Sequence, residues 1–275
     1  MSDLVVLEGF SLLPQGATLS MSLSAGQSLC LVGPAASGKS RFIRGLQGKE
    51  RAAQGRIELQ GRWVEASREG FWRPATPTTL ARKWAGRKAG DASQAISALG
   101  LWSRRGRSLD SLSATETIAC ELLAPLASSD PILFVDGHLD ALDAWVLESA
   151  WAGLKHRCES GVLIVATNRL DLCHRFDLIV VLKECRVAFA GTVEELLREA
   201  DPTELVVESR SQTGVRALVE PFQVSISAEP DGLHLQATEG QAIAAKLLME
   251  GYGDVRAIVA KPPSIEDAVR RVWSR

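Results

Sequence analysis

The run from Gly33 to Arg41 has the residue types and spacing needed to bind a polyphosphate. Two glycines with four residues between them precede Lys39 and Ser40, which is the pattern of a phosphate-binding loop. Glycines let the backbone curl close to phosphates, whose charge is held by successive N–H groups and a helix N-terminus. Lys39 can reach the outer phosphates, and the Ser40 hydroxyl can bind Mg²⁺. We therefore predict a nucleotide site at Gly33, Pro34, Ala35, Ala36, Ser37, Gly38, Lys39, Ser40 and Arg41; the alternative is a glycine-rich turn without a ligand.

The segments on either side of this loop are those that the pattern requires. Residues 28–32 are apolar after Ser28 and predict a short buried strand. After the loop, Phe42, Ile43 and Leu46 fall on one face of a predicted helix. A strand, a glycine-rich loop and a helix in this order favour the phosphate-binding interpretation.

A second candidate lies at Asp136, which ends the apolar run of residues 131–136. In a nucleotide site, an aspartate at a strand end holds the hydrated Mg²⁺ opposite the loop hydroxyl of Ser40. Two further apolar runs, residues 161–167 and 176–182, alternate with a predicted helix. Such strands predict a mainly parallel sheet covered on both faces.

The segment 202–275 reads as a separate small domain. Its pattern predicts strand, helix, strand, strand, helix, strand and helix, which is a ferredoxin-like order. The predicted segments are Glu204 to Glu208, Gly214 to Val219, Gln223 to Ser227, Leu233 to Ala237, Gln241 to Glu250, Val255 to Val259 and Ile265 to Trp273. We therefore expect domains at 1–200 and 201–275.

Composition excludes several classes. The chain has 275 residues, 46% hydrophobic and 23% charged, with a net charge of -2, so no basic field favours nucleic acid. Five scattered cysteines indicate neither a disulfide framework nor a zinc site, and Cys173 with His174 has no further ligands nearby. No basic start with an apolar stretch and no run near the ~20 residues of a membrane span is present, so we expect a cytoplasmic protein.

Residues 64–110 interleave tryptophans with arginines and lysines, for example Trp72, Trp84 and Trp102. Such a surface could stack nucleic-acid bases. The favoured interpretation is a small helical subdomain in which the tryptophans pack and the arginines are solvated.

Taken together, the landmarks of residues 4–200 resemble those of the ATP-binding subunits of ABC transporters. The landmarks are Gly33 to Ser40, Gly55 to Gly61, Leu112 to Glu116, Ile132 to Asp136, Ala141 to Asp143, Ala166 to Asn168 and Gly191 to Leu196. The ending, with Lys261 to Ala268 as its closing motif, resembles the extra domain of ABC-2 type exporter subunits. The resemblance implies a P-loop NTPase fold with a mainly parallel sheet, antiparallel N-terminal strands and a reduced helical subdomain.

The departures from the family concern catalysis. The family has a water-polarising glutamate where this chain has Gly137, and a γ-phosphate-contacting histidine where it has Asn168. The family signature Leu-Ser-Gly-Gly-Gln, whose backbone N–H groups contact the partner's nucleotide, is replaced here by Leu112, Ser113, Ala114, Thr115 and Glu116. Glu116 would repel a triphosphate. We therefore expect no catalytic residue at either degenerate position, and leave open whether the chain is an enzyme.

Three smaller assignments follow the resemblance. The aromatic residue that stacks on adenine in the family is assigned to Phe10. The alternatives are that Phe10 is a core residue, or that Pro14 aligns with that position. The family's glutamine has no counterpart near Phe71 to Pro74. His138 is a candidate substitute base, against a solvated loop histidine.

The resulting expectation is an ATP-binding subunit of an ABC-2 type exporter that binds MgATP, hydrolyses it poorly and acts in a dimer. The implied partners are a polytopic permease and a second ATPase or another copy, on the inner face of the membrane. The alternatives are a soluble ATP-sensing regulator of this fold and an active phosphotransferase.

Overall fold

The computed structural model describes residues 3–15, 17–68, 71, 75–86, 89–200, 204–230, 232–237, 240–251, 254–261 and 263–274. The chain divides into two compact units, Met1–Thr192 and Val193–Arg275. Within the described ranges, no helix combines the length and the apolar character that crossing a bilayer requires.

The first unit is built on two sheets. Its strands are β1 (Asp3–Ser11), β2 (Leu19–Ser24), β3 (Ser28–Val32), β4 (Gln54–Leu59), β5 (Trp63–Glu65), β6 (Ile132–Asp136), β7 (Val162–Thr167), β8 (Leu178–Lys183) and β9 (Arg186–Gly191). One sheet has the order β2-β1-β4 and is antiparallel, and the other has the order β5-β6-β7-β3-β8-β9. In the larger sheet, only the β8–β9 pair is antiparallel.

The central strands of the larger sheet are apolar because both of their faces are covered. Every residue of β3 and β7 is buried, as are the first four residues of β6. Strands buried on both faces lose the polar alternation of a half-exposed sheet. The predicted mainly parallel sheet with antiparallel N-terminal strands is confirmed.

The helices of the first unit are α1 (Lys39–Leu46), α2 (Pro77–Ala85), α3 (Ala89–Ala98), α4 (Ala114–Glu121), α5 (Leu123–Ala127) and α6 (Ala144–Cys158). Asp143 caps α6 by accepting hydrogen bonds from the backbone N–H groups of Trp145 and Val146, both at 3.0 Å. Such a cap satisfies donors that have no partner within the helix.

Helices α2, α3 and α5 pack on one another and form the predicted helical subdomain. Its buried residues are mostly small or aliphatic, including Leu80, Ala95 and Ile96. Trp102 is 49% exposed and is stacked by the Arg105 guanidinium, 4.5 Å from the ring centroid. The expectation that the tryptophans supply this packing was therefore wrong for Trp102; Trp72 lies outside the described residues.

The second unit contains α7 (Val193–Arg198), β10 (Glu204–Ser209), α8 (Gln212–Val219), β11 (Val224–Glu229), β12 (Gly232–Ala237), α9 (Gly240–Glu250), β13 (Val255–Lys261) and α10 (Ile265–Ser274). The four strands form an antiparallel sheet in the order β11-β12-β10-β13. Strand order and element order together are ferredoxin-like. All seven predicted segments are present, with ends shifted by no more than two residues.

Candidate nucleotide-binding site

The phosphate-binding loop joins β3 to α1 and lies against the hairpin formed by β8 and β9. Gly33 and Gly38 have φ angles of 151° and 100°. A Cβ atom on Gly33 would lie 2.5 Å from the Leu182 carbonyl oxygen, and one on Gly38 would lie 2.9 Å from the Cys185 Cα. The Cys185 backbone N–H also donates to the Ser37 carbonyl at 2.8 Å. The hairpin thus excludes side chains at both glycines.

The N-terminus of α1 is open. Its N-cap residue is Gly38, no side chain caps it, and its first turn carries no acidic residue. The first backbone N–H groups and the positive end of the helix dipole are therefore free to bind an anion. Helix termini of this kind are common phosphate sites.

The Lys39 side chain folds over the loop. Its Nζ donates to the carbonyl oxygens of Gly33 and Pro34 at 2.7 and 2.9 Å. Burial lowers the pKa of the Lys39 ammonium, and the nearby carboxylates of Asp140 and Asp136 oppose that lowering. The ammonium group is thus placed at the mouth of the loop by contacts that a phosphate could replace.

One cavity of about 520 Å³ brings most of the predicted site together. Its lining includes Ala35, Ala36, Ser37, Gly38, Lys39, Ser40 and Arg41 from the loop, and Asp136, Gly137 and Asn168 from the ends of β6 and β7. Gly33 and Pro34 are absent from this lining and lie at the start of the loop. Five lining residues were not predicted as site residues: Arg44, Asp140, Ala166, Thr167 and Cys185.

The donor set fits a nucleotide-bound magnesium ion. Ser40 and Asp136 line the same cavity and offer a hydroxyl and a carboxylate. Mg²⁺ usually binds through one or two such protein oxygens plus phosphates and water. Among the described residues, no cluster of three or more His, Cys, Asp or Glu side chains could hold a metal. The site therefore suits a magnesium ion that arrives with phosphates.

The two cavity positions at which the family has catalytic side chains carry no ionisable group in this chain. Gly137 follows the strand-end aspartate with a φ of 74°. Asn168 follows β7, and both its backbone N–H and its Nδ2 donate to Asp140 Oδ2, at 2.9 and 3.2 Å. Asp140 also accepts a hydrogen bond from the Thr167 hydroxyl. The only feature of the sequence that could have placed Asp140 in the site is its position four residues after Asp136.

The signature-like residues lie at a different cavity. Ser113, Thr115 and Glu116 line a space of about 540 Å³, whereas Ala114 does not. Ser113 caps α4: its Oγ accepts from the Glu116 N–H at 3.2 Å, and Glu116 Oε2 accepts from the Ser113 N–H at 2.8 Å. The latter bond lowers the pKa of the Glu116 carboxyl, and Arg104 adds to the lowering. The carboxylate that we expected to face a triphosphate is turned onto its own helix.

The assignment of Phe10 as the adenine-stacking residue was wrong. Phe10 is 0% exposed and packs edge to face against Phe42, with ring centroids 5.1 Å apart. It belongs to the core between the sheets and α1 because this large apolar ring is covered on every side. Pro14 does not line the cavity either, and the cavity's described lining contains no aromatic side chain.

His138 is held away from the cavity. Its Nε2 contacts Glu121 Oε2 at 2.8 Å, and its side chain is 13% exposed. The structure thus supports neither the substitute base nor the solvated loop histidine. The segment Phe71 to Pro74, where the family's glutamine had no counterpart in the sequence, lies outside the described residues at positions 72–74.

Comparisons with known proteins agree with this architecture. Residues 17–138 match the family model described as ABC transporter. The phosphonates import ATP-binding protein PhnC of Thiobacillus denitrificans is 24% identical over 210 residues, covering 65% of this chain and 81% of that protein. The hemin import ATP-binding protein HmuV of Rhizobium meliloti is 25% identical over 242 residues, covering 76% and 92%.

A solved ATP-binding subunit of an ABC transporter superposes with a TM-score of 0.60 at 16% identity, covering 71% of this chain and 92% of that one. At that identity the likeness shows the fold alone. The first unit therefore has the fold of ABC transporter ATP-binding subunits, and residues 17–138 resemble that family in sequence.

Proposed function

We propose that this chain is an ATP-binding subunit of an ABC transporter that binds MgATP and hydrolyses it slowly or not at all. One observation carries the proposal. A single cavity combines the open loop of Lys39 and Ser40 with Asp136, yet has Gly137 and Asn168 directly after the ends of β6 and β7.

Binding needs only the intact part of this cavity. The loop N–H groups and the start of α1 would hold the phosphates, and Lys39 would exchange its carbonyl contacts for phosphate oxygens. Ser40 and Asp136 would hold the magnesium ion through oxygen. A bound magnesium ion would neutralise part of the phosphate charge.

Hydrolysis needs groups that this cavity lacks at positions 137 and 168. Glycine cannot accept a proton, and an asparagine amide neither carries a charge nor takes up a proton. A positioned general base contributes about 10²–10⁴-fold to rate. A nucleotide bound here should therefore persist.

The partners follow from the class of protein. We propose a membrane permease and a second ATP-binding subunit, or another copy of this chain, with the subunit peripheral on the inner face. The ferredoxin-like second unit resembles that of ABC-2 exporters and supports export, whereas PhnC and HmuV are named for import. Co-purification of this chain from detergent extracts, followed by identification of the permease, distinguishes export from import.

A soluble ATP-sensing regulator is the second candidate. The same cavity would serve it, because nucleotide binding without turnover is sufficient for a sensor. A detergent extract that yields the chain without any membrane protein would favour the regulator over the transporter subunit.

Calorimetry on the purified chain tests the nucleotide site. Titration with MgATP should give a saturable signal, and Lys39→Ala should weaken binding at least about tenfold because it removes a charge-assisted contact to phosphate. Lys155→Ala is the matched control, since Lys155 pairs with Asp177 outside the cavity. Absence of any binding at millimolar magnesium would contradict the proposal.

Turnover tests the second half of the proposal. We expect a rate below about 1 per second, the lower end of ordinary enzyme turnover. Gly137→Glu alone should restore little, because residue effects within one site are not additive. Fast hydrolysis that disappears in Lys39→Ala would overturn the expectation of a poor ATPase.

A further inference from the structure

Asp140 joins the nucleotide cavity to the cavity beside α4. It lies in the turn after β6, four residues beyond Asp136, and lines both cavities. Its carboxylate is held from two directions by the residues that end β7. Neither the strand-end motif nor the loop pattern accounts for a carboxylate at this place.

The groups that donate hydrogen bonds to Asp140 lie at the end of β7 and are of a kind that can bind an anion. Oδ1 accepts from the Thr167 hydroxyl, and Oδ2 accepts from the Asn168 backbone N–H at 2.9 Å and from its Nδ2 at 3.2 Å. Amide and hydroxyl donors of this kind commonly hold phosphate oxygens. Here they are already directed at an internal carboxylate.

The end of β7 is also where the third phosphate of a bound nucleotide would lie. In a phosphate-binding loop, the backbone cradles the first two phosphates, while the lysine and the metal reach the second and third. Lys39, Ser40 and Asp136 therefore mark the third phosphate's place, and Asp140 lies with them in one cavity. The effect of Asp140 on the pKa of Lys39 agrees with this proximity.

The neighbouring Arg169 lies near enough to attract the Asp140 carboxylate but forms its ion pair with Asp171 instead. The Arg169 guanidinium pairs with Asp171, with Nη2 2.7 Å from Oδ2. A third phosphate would thus meet both a like charge and donors that are already occupied. A diphosphate, which would not extend to the end of β7, would meet neither the like charge nor the occupied donors.

We propose that Asp140 is a specificity-determining residue that makes the pocket bind a nucleoside diphosphate at least as tightly as the triphosphate. This inference rests on the proposed nucleotide-binding function and adds the preference between two ligands. It assigns to Asp140 a role in affinity and none in proton transfer.

The test compares the dissociation constants of ADP and ATP, each with magnesium, by calorimetry. In the unmodified chain, ADP should bind as tightly as ATP or more tightly. Asp140→Asn removes the charge with little change of shape, and should shift the ratio about tenfold towards ATP, the size of one partly screened like-charge contact. Asp140→Ser also frees the donors of Thr167 and Asn168, so its shift should be at least as large.

The matched control is Glu148→Gln, which removes a negative charge from a surface pair with Arg175. It should leave the ratio unchanged. If the unmodified chain binds neither nucleotide, the proposed function and this inference both fail. If both nucleotides bind and neither Asp140 variant changes the ratio, the proposed function stands and the inference is wrong; a loss of turnover without a change in the ratio would identify Asp140 as a base instead.

Discussion

Helices α1 and α4 begin in opposite ways, although each has eight residues and follows a loop of the first unit. The N-cap of α1 is Gly38, with no side-chain cap and no acid in the first turn. The N-cap of α4 is Ser113, which forms a reciprocal capping box with Glu116. No side chain pairs with the first N–H groups of α1, whereas α4 pairs the N–H groups of Ser113 and Glu116 with its own side chains.

This difference separates a ligand site from a self-contained turn. The unsatisfied N–H groups and the dipole of a helix attract one negative charge near its start. At α1 that charge must come from outside the chain, whereas Glu116 supplies it at α4. The resemblance to ABC subunits implies that α4 would face a partner's nucleotide, so we infer that this chain contributes a poor second half to such a site.

The largest expected effect comes from closing the α1 loop. Gly38→Ala adds a Cβ at a φ of 100° and only 2.9 Å from the Cys185 Cα, so strain and crowding add. We expect the free energy of unfolding to fall by about 2–4 kcal/mol and MgATP affinity to be lost. Gly48→Ala is the control, because its φ is 72° but nothing lies within 4 Å of the added atom. Equal losses in the two variants, measured by thermal unfolding and calorimetry, would contradict the packing argument.

The next effect concerns opening α4. Restoring Gly at Ala114 and Thr115 and Gln at Glu116 removes the internal carboxylate and uncovers backbone N–H groups. In a complex with a second, intact ATP-binding subunit, we expect the ATPase rate to rise about tenfold, since an anion-binding turn stabilises charge in the transition state. Gly137→Glu in the same complex should not raise it. The opposite ranking would reverse the roles assigned to the two loops.

A smaller effect measures the cap itself. Ser113→Ala removes the Oγ acceptor for the Glu116 N–H, and should destabilise the first unit by about 1 kcal/mol in denaturant unfolding. Ser111→Ala is a nearby control, because its hydroxyl donates only to the Ser108 carbonyl. MgATP affinity should stay unchanged in both variants, and a large loss of affinity in Ser113→Ala would connect α4 to the α1 site.

The smallest effect is the pH dependence of this cap. The pKa of Glu116 is lowered in the folded chain, chiefly by the Ser113 backbone N–H. A carboxyl of that kind stabilises the fold above its unfolded-state pKa and loses the contribution as the pH falls through the lower folded-state value. In a plot of unfolding free energy against pH, Glu116→Gln should therefore reduce the slope slightly on the acidic side. At neutral and alkaline pH the curve should run parallel to that of the unmodified chain. Parallel curves throughout would show that Glu116 carries no such linkage.

Local sequence was sufficient for the features set by short-range rules. The loop from Gly33 to Ser40 was recognisable because its glycines and lysine act through backbone geometry over a few residues. The buried strands followed from continuous apolar runs, and the second unit followed from alternation with turns. The capping box also has a local sequence signal, Ser followed three residues later by Glu. The sequence analysis missed this signal because it considered Glu116 only as a repulsive charge.

Tertiary structure alone decided which side chains meet. Phe10 could have stacked on a base or packed in the core, and only the assembled sheets and α1 bury it against Phe42. Asp140 reaches Thr167 and Asn168 because β6 and β7 are parallel neighbours whose ends coincide, a contact between residues 27 and 28 positions apart. Cys185 touches the phosphate-binding loop from a hairpin more than a hundred residues later. Local rules operate through neighbouring dihedral angles, whereas these contacts depend on how distant strands are ordered in the sheet.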